Sequence, residues 1–76
     1  MTRKCIVRDL DSALTTAPMS CFKAMEIAES GDLYRNWAID EVVHNPNGSV
    51  PILQACIQFK DNKYIYYDSE LFSRLI

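Results

Sequence analysis

Residues 37–67, WAIDEVVHNPNGSVPILQACIQFKDNKYIYY, carry two turn signatures at fixed positions between apolar runs. In Asn45-Pro46-Asn47-Gly48-Ser49, proline pre-sets φ at the first central position of a type I turn, asparagine suits the second, and glycine takes the left-handed slot. The spacing predicts a three-residue hairpin loop with a bulge at Gly48. Asn45 then faces Ser49, which sets Trp37 opposite Ile57, Ile39 opposite Ala55 and Glu41 opposite Leu53. Lys60-Asp61-Asn62-Lys63 reads as a second, tighter hairpin, because Asp61 and Asn62 tolerate positive φ. Phe59 then faces Tyr64, and Ile57 faces Tyr66.

Side chains alternate between the faces of a strand, and directly opposed residues share a face. The two registers therefore predict one apolar face of Trp37, Ile39, Val43, Leu53, Ala55, Ile57, Phe59, Tyr64 and Tyr66, with Glu41 the one misfit. The mixed face collects Asn36, Ala38, Asp40, Val42, Ile52, Gln54, Cys56, Gln58, Ile65 and Tyr67. A slip of one residue would scramble these sets.

Outside the meander, Lys4 to Arg8 reads as a strand or an ordered arm. Asp9-Leu10-Asp11-Ser12 offers a cap for one helical turn. A helix is predicted over 17–30, with Pro18 in its first turn and Gly31 as its stop. Met19, Phe22, Met25 and Ala28 form its apolar stripe, expected to pack on the sheet. Asp68 stands as an N-cap before Ser69-Glu70, and Leu71, Phe72, Leu75 and Ile76 predict a short C-terminal helix. The expected architecture is one α+β domain over 1–76. It is a three-stranded antiparallel meander with one packed helix and a short C-terminal helix, α-β-β-β-α, with room for an extra N-terminal strand.

The totals narrow the function classes. A chain of 76 residues that is 49% hydrophobic and 11% aromatic is a folding domain, not a disordered tail. Its net charge of −2 is mildly acidic. Cys5, Cys21 and Cys56 lack any C-x-x-C spacing, and their odd count reads as reduced thiols. No run approaches the roughly 18 apolar residues of a membrane span, and residues 1–7 lack the apolar core of a secretory signal. A cytoplasmic protein with no membrane partner is expected.

Catalytic chemistry finds little support. His44 is the single histidine and sits beside a turn; no serine or cysteine stands in a nucleophile motif. Three cysteines and one histidine match a zinc count but not the closely spaced pairs of zinc sites. With only two glycines no phosphate-binding loop exists. No metal, no cofactor and no enzymatic activity are expected. The helix–strand order is also that of double-stranded RNA-binding domains, but their lysine and arginine contacts to phosphate are missing: the last helix offers Arg74 beside Glu70. Charge speaks against direct nucleic-acid contact.

The mixed face remains as the candidate site. Aromatic and aliphatic side chains interleaved with amides and an acid have the composition of an interface core and rim. Asp40, Gln54, Gln58, Ile65 and Tyr67 are the candidate partner-binding residues, unless the N-terminal arm or C-terminal helix covers them. Compact, acidic and without catalytic motif, the chain resembles in general character the small stoichiometric inhibitors of phages and mobile elements, anti-CRISPR proteins among them. That resemblance implies a non-enzymatic module that binds and occludes a host protein. A nucleic-acid-associated accessory or regulatory role is the second reading.

Overall fold

The computed structural model describes residues 3–44, 46–48 and 50–67. They form an α+β fold of five strands and one helix: β1 (Lys4–Asp9), β2 (Met19–Ser20), α1 (Cys21–Glu29), β3 (Trp37–Val43), β4 (Ile52–Lys60) and β5 (Lys63–Tyr66). The strands make one sheet in the order β2-β1-β3-β4-β5, and every neighbouring pair is antiparallel. The C-terminal helix expected at Leu71, Phe72, Leu75 and Ile76 lies outside the described residues.

The expected meander is β3–β4–β5. Its second hairpin has the predicted register, with Phe59 opposite Tyr64 and Ile57 opposite Tyr66. Asp61 and Asn62 have φ of 53° and 62°, the pair of positive values a two-residue hairpin needs.

The first hairpin departs from the expectation. Gly48 does adopt the left-handed conformation, with φ of 100°. Asn45 and Ser49 lie outside the described residues, and the last ladder pair is Val43 with Ile52. Trp37 opposes Phe59 and Ile39 opposes Ile57, but Asp40 opposes Ala55, so Cys56 is an extra residue on β4. That is a β-bulge. The predicted register set Pro51 opposite Val43, where proline has no N–H to give to a ladder.

The bulge changes which residues share a face. The two-residue offset at Trp37 and Ile39 preserves parity, so Trp37, Ile39, Ile57 and Phe59 stay together as predicted. Beyond the bulge parity inverts. Leu53 now opposes Val42 and Ala55 opposes Asp40, whereas Gln54 opposes Glu41. Leu53 is accordingly exposed instead of buried, and Cys56 joins the core beside Ile57.

β1 inserts between β2 and β3, so the N-terminal segment is a strand. Val7 opposes Ile39 and Cys5 opposes Glu41, and both Val7 and Cys5 are fully buried in the core under α1. Ile6 opposes Asp40 on the other face. After β1 Asp9-Leu10-Asp11-Ser12 makes one α-type turn that is not continued as a helix, the Ala13 N–H donating to the Asp9 carbonyl at 2.9 Å. Asp9 organises it: its carboxylate accepts from the Asp11 N–H at 3.1 Å and the Ser12 hydroxyl at 2.5 Å. Its backbone N–H donates to the Leu14 carbonyl at 2.7 Å. Thr16 then returns alongside Val7, donating to its carbonyl at 2.9 Å and accepting from its N–H at 3.0 Å through the hydroxyl.

The helix starts later than predicted. Ser20 is its N-cap, accepting from the Lys23 N–H at 3.2 Å, and Met19–Ser20 are spent on pairing with Cys5 and Lys4. Four residues of delay rotate the buried stripe. Cys21, Ala24, Met25 and Ala28 face the sheet, at the i, i+3, i+4, i+7 spacing of an amphipathic helix. Phe22, predicted to be core, is 64% exposed. The predicted stop holds: Gly31 follows the helix with φ of 76°.

Three of the four buried α1 side chains are small, so the helix lies close to β1 and Cys21 meets Cys5. These two cysteines form a disulfide across a Cα–Cα distance of 4.9 Å, and Cys56 is buried outside any disulfide. The expectation of three reduced thiols is corrected. An odd count permits one bridge plus one thiol, and the proximity that selects the pair arises only from packing. With it goes the cysteine argument for a cytoplasmic location. No helix among the described residues is long and apolar enough to cross a membrane.

Two outcomes test this packing. In denaturant melts Phe22→Ala should shift stability by no more than about 0.5 kcal/mol, whereas Ile39→Ala should cost about 2–5 kcal/mol. Denatured protein should take up one alkylating group without reductant and three after reduction, as read by intact mass. Cys5→Ser should lower stability by about 3 kcal/mol, the loop-closure value for a bridge of this span.

Candidate functional site

The five candidate residues do not form one surface. Asp40 is the clearest correction: it is only 4% exposed and is the buried charged residue of the described chain. Its Oδ2 accepts from Arg8 Nε at 3.0 Å, while Oδ1 is buried without a hydrogen-bond partner. A central strand flanked by β1 and β4 carries Asp40 away from the sheet's rim, with Ile6 opposite it on one side and Ala55 on the other. It is a structural ion pair inside the sheet, not a rim charge that steers a partner.

Gln54 is exposed, but the bulge places it opposite Glu41, on the other face from Gln58. Gln58 opposes Ile65 and is partly buried, whereas Ile65 is 44% exposed. Tyr67 follows β5, its N–H bonded to the Cys56 carbonyl at 2.8 Å, and is 57% exposed. The structure thus keeps Gln58, Ile65 and Tyr67 together and removes Asp40 and Gln54 from their surface. Cys56, whose side chain had been expected to align with Ala38 and Tyr67, is in the core instead. The misfit Glu41 is resolved by Arg3, whose guanidinium donates to both carboxylate oxygens at 2.5 and 2.7 Å.

On the helix side of the sheet an aromatic ladder crosses β3, β4 and β5. Trp37 stacks on Phe59 at 5.6 Å between centroids, Phe59 meets Tyr64 at 4.8 Å, and Tyr64 stacks on Tyr66 at 5.9 Å. The ladder grades from buried Trp37, through half-buried Phe59, to exposed Tyr64 and Tyr66. The Tyr64 hydroxyl donates to Glu29 Oε1 at 3.3 Å, tying β5 to the end of α1. The phenol's pKa is raised, first by its partial burial and then by the Glu29 carboxylate. Tyr64 therefore stays a protonated donor across the neutral range.

Ile52 and Leu53 at the start of β4, with Tyr64, Ile65, Tyr66 and Tyr67 on and after β5, make the β4–β5 end rich in exposed large apolar side chains. Sequence reading found Ile65 and Tyr67 and missed Leu53, which it assigned to the core. The one available signal was Pro51, which argues against the register that buried Leu53. Among the described residues no three His, Cys, Asp or Glu side chains gather in a metal-binding group. His44 is exposed just beyond β3.

The Asp40 pair is testable. Arg8→Ala should destabilise the fold by about 2 kcal/mol, because it strands a buried carboxylate, discounted for the partial exposure of Arg8. The double variant Arg8→Ala/Asp40→Ala should lose less than the sum of the single changes, as chemical denaturation would show. Additive losses would deny the coupling.

Compared with protein-family models, curated proteins and solved structures, the chain has no significant match.

Proposed function

We propose that this chain is a non-enzymatic protein-binding module, a stoichiometric inhibitor of phage or mobile-element type that occludes a host protein. The observation that carries the reading is the concentration of exposed apolar side chains at the β4–β5 end. Ile65 and Tyr67 lie on the face away from α1, with Leu53 farther along β4 on that face, while Ile52, Tyr64 and Tyr66 are exposed on the helix side. Ile65 and Tyr67 neighbour each other on one face, and exposed apolar patches on small proteins mark contact sites. Tyrosines are suited to the task, since they bring large, rigid contact area together with a polar tip.

β5 adds a second support. It is the last strand of the sheet, so its outer backbone groups have no strand partner among the described residues. Lys60 and Lys63, paired at the hairpin end, place charge where an edge is blunted against indiscriminate pairing. Occlusion requires only this surface and a stable scaffold behind it; no reacting group is needed.

A pulldown from bacterial lysate tests the reading. Wild-type protein should retain one partner in stoichiometric amount, and Tyr67→Ala should weaken that complex about thirtyfold, or about 2 kcal/mol, as a central aromatic anchor does. Tyr67→Ala should melt at the wild-type temperature, because the side chain is exposed. Salt-dependent retention of DNA or RNA in place of a protein would reject the proposal, as would full partner binding by both Tyr67→Ala and Ile65→Ala.

A further inference from the structure

The end of α1 and the β4–β5 hairpin border an open-mouthed cavity of about 260 Å³ whose lining includes Tyr34, Trp37, Phe59 and Tyr64, together with Glu29 and Arg35. Three of these rings are in mutual contact: Trp37 lies 5.6 Å from Phe59 and 6.2 Å from Tyr64, and Phe59 lies 4.8 Å from Tyr64. Half-buried Phe59 and exposed Tyr64 bring ring surface to the cavity, and aromatic rings attract a cation within about 6 Å of a centroid. A carboxylate stands beside them. Glu29 is held by the Tyr64 hydroxyl at 3.3 Å through one oxygen, and a carboxylate has further lone pairs to offer.

The cavity's own charged residues are Glu29 and Arg35, and the flank of α1 beside it adds a second acid. A neighbouring depression is lined by Phe22, Met25, Glu26 and again Glu29, so α1 presents two acids and an exposed aromatic on one flank. Lone carboxylates or lone rings would each be ordinary surface. Four aromatic side chains with a hydrogen-bonded carboxylate at one cavity are a matched set for a positively charged group on an apolar stem.

We propose that this cavity receives a lysine or arginine side chain of the partner protein, with the stem against the rings and the charged head on Glu29. The inference deepens the protein-binding reading and rests on it for the source of the side chain. Arg35, the one basic group of the lining, is exposed and works against a cation there. It therefore serves as an internal control, because a site for anions would depend on it.

Trp37 is the single tryptophan, so its indole N–H resonance reports on the cavity without ambiguity. The probes are acetylated, amidated tripeptides with a central lysine, arginine, norleucine or glutamate between glycines. The lysine and arginine probes should shift the indole resonance saturably, and norleucine should bind about tenfold more weakly. Glu29→Gln should weaken the cationic probes by about tenfold at low salt, and Arg35→Ala should leave them unchanged or tighter. Both positions are exposed, and an unchanged pattern of amide resonances checks that each variant is folded. Equal binding of norleucine, preference for glutamate, insensitivity to Glu29→Gln, or no saturable shift overturns the site, while leaving the protein-binding reading to its own pulldown. A partner captured normally by Glu29→Gln overturns the assignment of this cavity to that partner.

Discussion

A single extra residue in a strand turns over the side chains beyond it, and Cys56 is that residue here. β3 is engaged on both sides. Its ladder with β1 runs unbroken through six pairs, so the adjustment falls on β4. With two residues of β4 set against one of β3, Cys56 and Ile57 both enter the core beneath α1. The stretch before them is turned over. Leu53 and Ala55 leave the helix side, and the start of β4 becomes exposed apolar surface. The entry of Cys56 into the core and the exposure of Leu53 are thus two consequences of one bulge.

The core so formed is small and depends on close approach. Ala24 and Ala28 let α1 settle onto the sheet, and Cys21 reaches Cys5 on β1. A domain of this size buries roughly 60% of its unfolded surface, a narrow margin in which a covalent bridge is a substantial fraction of stability. The same rotation of α1 that buries the small residues turns Phe22, Glu26 and Glu29 outward. On the opposite side of the sheet buried Asp40 pairs with Arg8, and its Oδ1, without a hydrogen-bond partner, is a standing desolvation cost. Apolar side chains alone do not make this centre.

The aromatic ladder joins stability to the proposed function. Trp37 is locked into the core, and each ring toward Tyr66 contacts its predecessor while being more open to water. An exposed tyrosine ordinarily loses side-chain entropy when it is immobilised at an interface. Here Tyr64 is held in advance by Phe59, Tyr66 and the Glu29 carboxylate, so less of that loss remains to be met on binding. A rigid scaffold carrying preset aromatic side chains is suited to the proposed role of occupying a surface.

Local chemistry was legible in the sequence. Asp61-Asn62 specifies its hairpin because two adjacent residues must accept positive φ, and that requirement involves nothing beyond four residues. Gly48 and Gly31 are legible for the same reason, as are Ile65 and Tyr67 on an exposed strand end. Features that depend on partners distant in the chain were not. The start of α1 moved to Ser20 because Met19–Ser20 pair with β1, a competition that helical periodicity does not contain. The disulfide, the bulge at Cys56 and the burial of Asp40 each require knowing which segments become neighbours. Turn chemistry is decided by the backbone of a few residues; register, thiol pairing and charge burial are decided by long-range packing, and only the tertiary structure supplies that.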